Sequence, residues 1–330
     1  MASIPVYVGL DYHDSVVQVC VLDQGGRMLC NQPSRNDCGE IVQRVAPFGT
    51  VVRAAVEACT GSANLAEELV QRGWSVDLAH PGYVARMKQN PDKHDFGDAR
   101  LLADLERVGY LPRVWLAPEE TRELRRLVRY RQGLVDQRRN TRLRIRALLR
   151  EHRLRRPGRA WTQSWMYWVQ TVALPEQSRW VLDQYLVSLV ALGRQIAQVE
   201  RRLRRVTGQD PLVQLLLQQS GIGPVTAWTL RAEIGRFDRF RSGKQLARFC
   251  GLTPRNASSG QRQADAGLIR AGNPQLRAVL IEAAQRLRRT DPRWQAFSDR
   301  LMAAGKSGSV TTAAVANRWV RWLYHQVVAA

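Results

Sequence analysis

The hydrophobic residues of the first 118 positions fall in short runs separated by polar turns, in a pattern that alternates between strand and helix spacing. The first three runs are joined by short turns and predict an antiparallel meander, whereas helical patterns separate the later runs. The predicted strands are 6–11, 16–22, 27–31, 50–57 and 74–79, and the predicted helices are 37–46, 62–71, 81–89 and 95–108. A meander followed by alternating helices and parallel strands is the order of an RNase H-like fold, which is therefore predicted for this part of the chain.

Beyond an extended linker at 111–118, the apolar residues take up helical spacing and keep it for most of the remaining chain. Apolar residues between arginines predict a long, coiled-coil-like helix over 119–152, and a second long helix over 176–206 completes an antiparallel hairpin. The fold class is therefore α/β plus all-α. The predicted domains are 1–118, which is α/β, 119–206, which is the helical hairpin, and 207–330, which is mostly helical.

The charge of the chain is large and unevenly distributed. The formal net charge is +21, made up of −3 over residues 1–118, +10 over 119–160 and +14 over 161–330. A protein this basic most often neutralises a polyanion, and the planar forks of its many arginines suit phosphate. Nucleic acid is the predicted partner, while a ribosome-like structural role and a surface tuned for solubility are the alternatives.

Four acids of the weakly acidic N-terminal part are placed where an open α/β sheet binds ligands. Asp11 and Glu57 end two predicted strands that this topology puts side by side. Asp95 and Asp98 are spaced i, i+3 and share one face of a predicted helix. Converging carboxylates repel one another unless one or two hard divalent cations, typically Mg²⁺, lie between them. A strand-end Asp alone is more often a turn residue. The nearby acids taken as bystanders are Asp14, Asp92 and Asp104.

Nucleophilic and phosphate-binding candidates lie in the basic C-terminal part. Ser258 and Ser259 precede the permissive Gly260, and Ser259 is preferred as the nucleophile over its neighbour. The segment 215–235 has the pattern of a helix-hairpin-helix, whose turn exposes backbone N–H groups to phosphate, although a plain helical turn fits as well. The candidate nucleic-acid contacts are Gly221, Gly223, Arg255, Arg262, Arg270, Arg138 and Arg142.

The sequence shows none of the features of a secreted or membrane protein. Its start has no signal-peptide pattern, and no apolar run approaches the roughly 20 residues that span a bilayer. Its five cysteines lack metal-binding spacing and are expected to be reduced thiols. A cytoplasmic, nucleoid-associated protein without a membrane partner is therefore predicted.

Short motifs along nearly the whole chain resemble, in the same order, the DEDD serine recombinases that mobilise the insertion sequence 110 family, including its insertion sequence 1111 branch. The motifs are Gly9-Leu-Asp11, Val56-Glu-Ala-Cys-Thr-Gly-Ser62, Asp95-Phe-Gly-Asp-Ala-Arg-Leu-Leu102, Gly221-Ile-Gly223, Gly251-Leu-Thr-Pro254, Ser259-Gly260 and Gly272-Asn-Pro-Gln-Leu-Arg277.

This resemblance implies both an activity and a set of partners. The N-terminal domain would be RuvC-like, with Asp11, Glu57, Asp95 and Asp98 as its DEDD metal ligands, and Ser259 would be the catalytic serine of a C-terminal transposase domain. The family resemblance also implies guidance by a structured noncoding RNA (bridge RNA or seekRNA) that pairs with donor and target DNA. Homodimers and tetramers would build composite active sites.

The expected reaction is RNA-guided DNA strand exchange. In it the Ser259 hydroxyl attacks a phosphodiester, with help from Mg²⁺, and forms a phosphoserine link. Two alternatives remain. A RuvC-like, structure-specific nuclease would use a water nucleophile and form no covalent adduct, and a non-catalytic nucleic-acid-binding protein would need neither metal nor serine.

Overall fold

The computed structural model of the protein describes residues 4–88, 94–256, 265–269 and 271–329. The chain divides into two compact units, Met1–Ala117 and Pro118–Ala330. The first combines a β-sheet with helices and the second is mostly helical, so the chain is mixed α/β with a helical C-terminal region. No helix in the described ranges combines the length and the apolar character needed to cross a membrane.

The first unit is built on a six-stranded sheet in the order β3-β2-β1-β4-β5-β6. Strands β1, β2 and β3 pair antiparallel, β1, β4 and β5 pair parallel, and β6 pairs antiparallel with β5. The strands are β1 (Pro5–Tyr12), β2 (Val16–Asp23), β3 (Met28–Arg35), β4 (Thr50–Glu57), β5 (Val76–Ala79) and β6 (Arg113–Val114). The helices are α1 (Cys38–Val45), α2 (Ser62–Gln71), α3 (Pro81–Met87) and α4 (Asp95–Arg107), with a 3-10 turn at Ala46–Phe48.

Two details of this sheet differ from the prediction. Strand β3, which was predicted only to start over 27–31, continues to Arg35, because its backbone stays paired with β2 as far as Val16. The segment 111–118, predicted to be a linker, contains strand β6, in which Val114 pairs with Leu78 of β5. Backbone pairing at a sheet edge is set by the neighbouring strand, which a hydrophobic pattern two residues long does not reveal.

Helix α4 lies directly on the sheet because β1 carries a glycine where the two elements meet. A Cβ built on Gly9 would lie 2.0 Å from the carbonyl oxygen of Ala99 and 2.5 Å from the amide nitrogen of Ala103. Both alanines are fully buried. At the two ends of α4, Asn31 Nδ2 donates to the Phe96 carbonyl at 2.9 Å and Arg107 donates to the Gln24 carbonyl at 3.2 Å. These contacts fix where the helix begins.

In the second unit, two long helices pack against each other: α5 (Glu119–Glu151) and α7 (Glu176–Thr207). The start of α5 shares one apolar cluster with the end of α7, and the end of α5 shares another with the start of α7, so they are antiparallel. Arg131 of α5 donates to Glu200 of α7 at 2.7 Å and 2.9 Å. The short helix α6 (Gln163–Thr171) lies in the connection.

In the remainder of the second unit, helices pack around one large apolar core. Its helices are α8 (Pro211–Leu217), α9 (Pro224–Ile234), α10 (Gly243–Phe249), α11 (Pro274–Thr290), α12 (Pro292–Ala303) and α13 (Gly308–Val328), and its strands are β7 (Pro254–Asn256) and β8 (Asp265–Leu268). The antiparallel ribbon of β7 and β8 was not predicted from the sequence. Helix α12 was not predicted either; Asp291 caps its N-terminus by accepting from Arg293 N and Trp294 N.

The close approach at Gly9 gives a first prediction. Gly9→Ala should lower the free energy of unfolding by about 1–3 kcal/mol, because the added methyl collides with the backbone of α4, which cannot rotate away as a side chain would. Chemical denaturation of the whole chain measures it. Gly97→Ala, in the first turn of the same helix, is the control, since no heavy atom lies within 4 Å of the added methyl. Equal stability of both variants would contradict the proposed contact.

Candidate active site

Two of the predicted acids lie side by side at one edge of the sheet. Asp11 is next to last in β1 and Glu57 is the last residue of β4. In the parallel register Leu10 pairs with Val56, so the next residue of each strand is an acid. The carboxyl ends of parallel strands open toward a shared edge, where α/β sheets place ligands.

The first turn of α4 brings the other two predicted acids to this edge. Asp95 is the first residue of the helix, and the amide of Asp98 donates to the carbonyl of His94 at 2.9 Å. Carboxylates are favourable at this end of a helix, because its free N–H groups carry partial positive charge. The Gly9 contact therefore sets the distance between these acids and Asp11.

A histidine that the sequence analysis missed lies between two of the acids. His13 Nε2 is 3.5 Å from Asp11 Oδ2 and 3.4 Å from Asp95 Oδ2. Asn36 holds the turn after β1 in place by donating to the His13 carbonyl at 3.0 Å. Asp11, His13 and Asp95 each offer one ligand atom, and these atoms all lie within 4.8 Å of one another. A histidine two residues after a strand-end aspartate was the available signal.

The structure leaves Glu57 and Asp98 outside this group of three ligands. Asp98 instead accepts a hydrogen bond from Lys88 Nζ at 2.7 Å, and both side chains are largely buried. Lys88 follows α3 and was not singled out from the sequence. Glu57 is close enough for its charge to raise the pKa of Asp11. The charges of the other three acids therefore all raise the pKa of Asp11. Asp11 and Asp95 also share His13 as a neighbour.

Burial is the main reason that the pKa of Asp11 is raised above its ordinary value of 3.8. His13 opposes the shift, and the charges of Asp98, Asp95 and Glu57 add to it. Within the described part of the chain, Asp11 Oδ2 and His13 Nε2 are buried without a hydrogen-bond partner. Converging carboxylate oxygens with an unsatisfied buried atom are a donor set that fits a hard divalent cation.

Asp14 and Asp104, two of the acids taken as bystanders, take no part in the group formed by Asp11, His13 and Asp95. Asp14 lies in the bend after β1, and its backbone oxygen accepts from Asn36. Asp104 pairs with Arg107 on the same helix at 2.6 Å. Asp92 lies outside the described residues.

The loop after Glu57 is held by its own polar residues. The hydroxyl of Ser62 accepts from the amide of Cys59 at 3.0 Å, and the same hydroxyl lies 3.0 Å from the Cys59 carbonyl. Gly61 has a φ of +92°, and a Cβ there would lie 2.2 Å from the Tyr12 hydroxyl oxygen. The Tyr12 ring, next to Asp11, thus packs on this loop, which explains why the segment needs a glycine.

The predicted nucleophile lies outside the described residues, as do Ser258, Gly260, Arg262 and Arg270. Strands β7 and β8 flank the segment that contains Ser259, and the predicted contact Arg255 is exposed on β7. The base of the ribbon is fixed, because Arg277 donates to the carbonyls of Gly251 and Ile269 at 3.0 Å each.

A buried carboxylate supports the helix that carries Arg277. Glu233 of α9 is almost fully buried, and Arg129 of α5 donates to its two oxygens at 2.8 Å and 2.9 Å. Asn273 donates to the same carboxylate at 2.7 Å while it caps α11 by accepting from Gln275 N at 2.9 Å. Neither Glu233 nor Arg129 was identified from the sequence.

The other predicted nucleic-acid contacts occupy two places in the second unit. Gly221 makes the turn before α9 with a φ of +82°, and a Cβ there would collide with Leu287. Gly223 is the N-cap of α9, with open space around it. Arg138 and Arg142 lie on α5. The Arg142 guanidinium stacks at 5.0 Å from the centre of the Trp161 ring.

Family models match two long parts of the sequence. The model described as "Transposase IS116/IS110/IS902 family" matches residues 213–299, and a second model, of the DEDD transposase domain of IS110, matches residues 8–153. Over these two ranges the chain is similar to transposases of this family. It is therefore similar to enzymes that modify DNA. The matched ranges include the four acids and the segment with Ser259, without assigning roles to them.

Curated relatives are similar to the chain over most of their length. A "Probable family 20 transposase" of Pseudomonas aeruginosa is 29% identical over 328 residues, covering 96% of this chain and 95% of that protein. The transposase for insertion sequence element IS1111A of Coxiella burnetii is 27% identical over 288 residues, 86% and 78% of the two chains. The transposase for IS1328 of Yersinia enterocolitica is 28% identical over 288 residues, 84% and 82%.

The electrostatics of the acid cluster give a second prediction. Asp11→Asn should raise the free energy of unfolding by about 0.5–2 kcal/mol at neutral pH in the presence of a chelator, because it removes a buried charge that its neighbours repel. The folded-state pKa of Asp11 is raised, so the destabilisation caused by its charge is complete only at pH values above that pKa. It should fade as the pH drops toward 3.8. Thermal and chemical unfolding measure it.

Asp104→Asn is the matched control on the same unit. That change breaks a half-buried pair with Arg107, an opposite charge, and should bring no gain in stability. A gain for Asp104→Asn, or a loss for Asp11→Asn under chelation, would contradict the electrostatic account.

The buried Glu233 gives a third prediction. Glu233→Gln should lower the free energy of unfolding by about 2–4 kcal/mol, because two arginines lose the carboxylate that compensates them in a buried setting. The control is Glu123→Gln, which breaks an exposed pair on α5 and should cost less than about 0.5 kcal/mol. Denaturant titration compares the two, and similar losses would refute the structural role of Glu233.

Proposed function

We propose that the chain catalyses the excision and integration of an insertion sequence by RNA-guided DNA strand exchange, with the acid cluster and Ser259 as the two halves of its active site. The observation that carries the proposal is the convergence of Asp11, His13 and Asp95, with buried atoms of Asp11 and His13 left unsatisfied. The similarity to the transposase family supports the reaction class.

The N-terminal domain is proposed to have an RNase H-like, RuvC-like fold. A meander of three antiparallel strands continued by two parallel ones, with helices between them, supports this. The proposed domains are 1–118 for metal-dependent chemistry, 119–206 for RNA binding or oligomerisation, and 207–330 for the serine-bearing transposase domain.

One or two Mg²⁺ ions are proposed to be held by Asp11, Glu57, Asp95 and Asp98. Bound there, Mg²⁺ would supply positive charge that offsets the charge on the phosphoryl oxygens. The raised pKa of Asp11 and the pairing of Asp98 with Lys88 both indicate carboxylates that need a positive partner. His13 is proposed as a positioning residue that keeps Asp11 and Asp95 oriented toward the same point.

Ser259 is proposed to attack the phosphorus of a DNA phosphodiester with its hydroxyl oxygen. The new bond joins the serine oxygen to phosphorus, and the bond to the 3′ oxygen breaks. The 3′ oxygen takes up a proton as the serine loses one, so the step is balanced. Attack by a 3′ hydroxyl of another strand reverses it and joins DNA without an outside energy source.

The nucleic-acid partners are proposed to bind the basic parts of the chain. The net charge of +10 over residues 119–160 and +14 over 161–330 supports this. The proposed phosphate contacts are Gly221, Gly223, Arg138, Arg142, Arg255, Arg262 and Arg270. The acids and Ser259 belong to different compact units, so two copies in a homodimer or tetramer can each supply one half of a composite site. Work on chromosomal DNA would place the protein in the cytoplasm, at the nucleoid.

The proposed function predicts a covalent protein–DNA adduct. Wild-type protein, expressed with its native flanking DNA and assayed in Mg²⁺, should give an adduct that survives denaturation. Ser259→Ala should reduce it by at least about 1,000-fold, as expected for loss of a nucleophile, and Asp11→Ala should do the same. Ser258→Ala is the matched control and should retain the adduct.

Each other outcome would remove a specific part of the proposal. Cut DNA without an adduct would favour the RuvC-like nuclease, in which water attacks. An adduct retained in Ser259→Ala and lost in Ser258→Ala would move the nucleophile by one residue. An adduct retained in Asp11→Ala would remove the acid cluster from the chemistry, and binding with no chemistry in any variant would leave a nucleic-acid-binding protein.

A further inference from the structure

Helices α12 and α13 line an open cleft of about 510 Å³ that belongs to neither half of the proposed active site. Arginines and aromatic rings make up most of its lining, and no carboxylate contributes to it. The residues that matter most here are Arg293, Trp294, Phe297, Arg318, Arg321 and Trp322. Helix α13 lies beyond residue 299, where the match to the family model ends.

The aromatic rings of this cleft are stacked with guanidinium groups. The Arg293 guanidinium carbon lies 5.1 Å from the centre of the Trp294 ring and 5.3 Å from that of Trp322. Arg318 lies 4.9 Å from the centre of the Phe297 ring. Stacking restrains long side chains, so less conformational entropy is lost when their forks bind a ligand.

The arginines of the cleft keep their positive charge uncompensated. In the described ranges Arg293, Arg318 and Arg321 form no ion pair, whereas many arginines elsewhere in this unit do. Arg293 and Arg318 are exposed, and Arg321 is half-buried. A concave site with several guanidinium forks and no acid is attractive to phosphate.

From this arrangement we infer that the cleft binds one unstacked nucleotide of a nucleic-acid strand, with its base against the Arg293–Trp322 stack and its phosphate on Arg318 and Arg321. Bases that leave a helix stack on aromatic rings and on guanidinium planes. The cleft volume falls in the range of small-ligand pockets of about 300–1,000 Å³, which admits a nucleotide. The inference rests on the proposed function, because it assumes nucleic acid as substrate or guide.

The test measures binding rather than chemistry. Fluorescence anisotropy would follow an oligonucleotide of about 12 nucleotides, oligothymidine in one series and the matching strand with abasic positions in the other. All measurements use the full chain in the Asp11→Ala background with a chelator. Failure of the metal-dependent reaction therefore leaves this readout unaffected.

Removing the bases should weaken binding to the reference protein by about 10-fold, because stacking on the cleft is lost. The penalty should nearly vanish in Trp322→Leu, which keeps an apolar side chain in the core beside Trp294 but offers no ring. Trp322→Phe keeps a ring and should keep most of the penalty. If removing the bases weakened binding equally in the reference protein, Trp322→Leu and Trp322→Phe, the proposed stacking on Trp322 would be overturned.

The phosphate contacts are tested by charge removal. Arg318→Gln combined with Arg321→Gln should weaken binding of both oligonucleotides and reduce the slope of log affinity against log salt by about 1.4. The control is Arg201→Gln with Arg205→Gln, an equal loss of charge at two exposed positions of α7 that form no ion pair within the described residues. Equal effects of the two pairs would show that the cleft only contributes to the general positive field and would overturn the inference.

Discussion

The contact on which the acid cluster depends is the one between α4 and β1 at Gly9. Because that residue has no side chain, the backbone of α4 approaches to a distance that any Cβ would prevent. The helix begins at Asp95, so its first turn is placed over the end of β1. The geometry of four carboxylates therefore depends on a residue with no chemistry of its own, and the contacts of Asn31 and Arg107 serve to keep the helix in that position.

Bringing four carboxylates together destabilises the folded chain, and the neighbouring nitrogen atoms offset this destabilisation only in part. Like charges that approach one another in a buried setting destabilise the folded chain, which is why the pKa of Asp11 is raised. His13 and Lys88 each bring a nitrogen to the cluster, but neither satisfies Asp11 Oδ2 with a hydrogen bond. Proteins keep strain of this kind mainly at functional sites, where a ligand relieves it. The incomplete compensation is thus the physical argument for a cation at this edge of the sheet.

The sequence pattern was sufficient to predict the positions of those site residues that are set by local secondary structure. Strand ends and helical spacing located Asp11, Glu57, Asp95 and Asp98, and the long helices followed from apolar periodicity. It was insufficient where position depends on tertiary packing. His13 and Lys88 lie in connections, and the backbone of His13 is held by a residue distant in sequence, Asn36. Glu233 is part of a helix buried on nearly all sides, where a charged residue gives no periodic signal that it pairs with α5.

The arginines of the second unit show why net charge alone does not locate a nucleic-acid surface. Arg125, Arg129 and Arg131 contribute to the charge, yet they face Glu233 or Glu200 and hold helices together. A guanidinium already engaged by a buried carboxylate cannot contact phosphate without leaving that acid unpaired, which costs several kcal/mol, roughly 3–5 for a fully buried pair. Within the described residues, Arg293, Arg300 and Arg318 of α12 and α13 form no ion pair and are stacked on rings instead. The useful quantity is therefore the charge that remains after structural pairing, and α12 and α13 hold part of that charge beside aromatic rings.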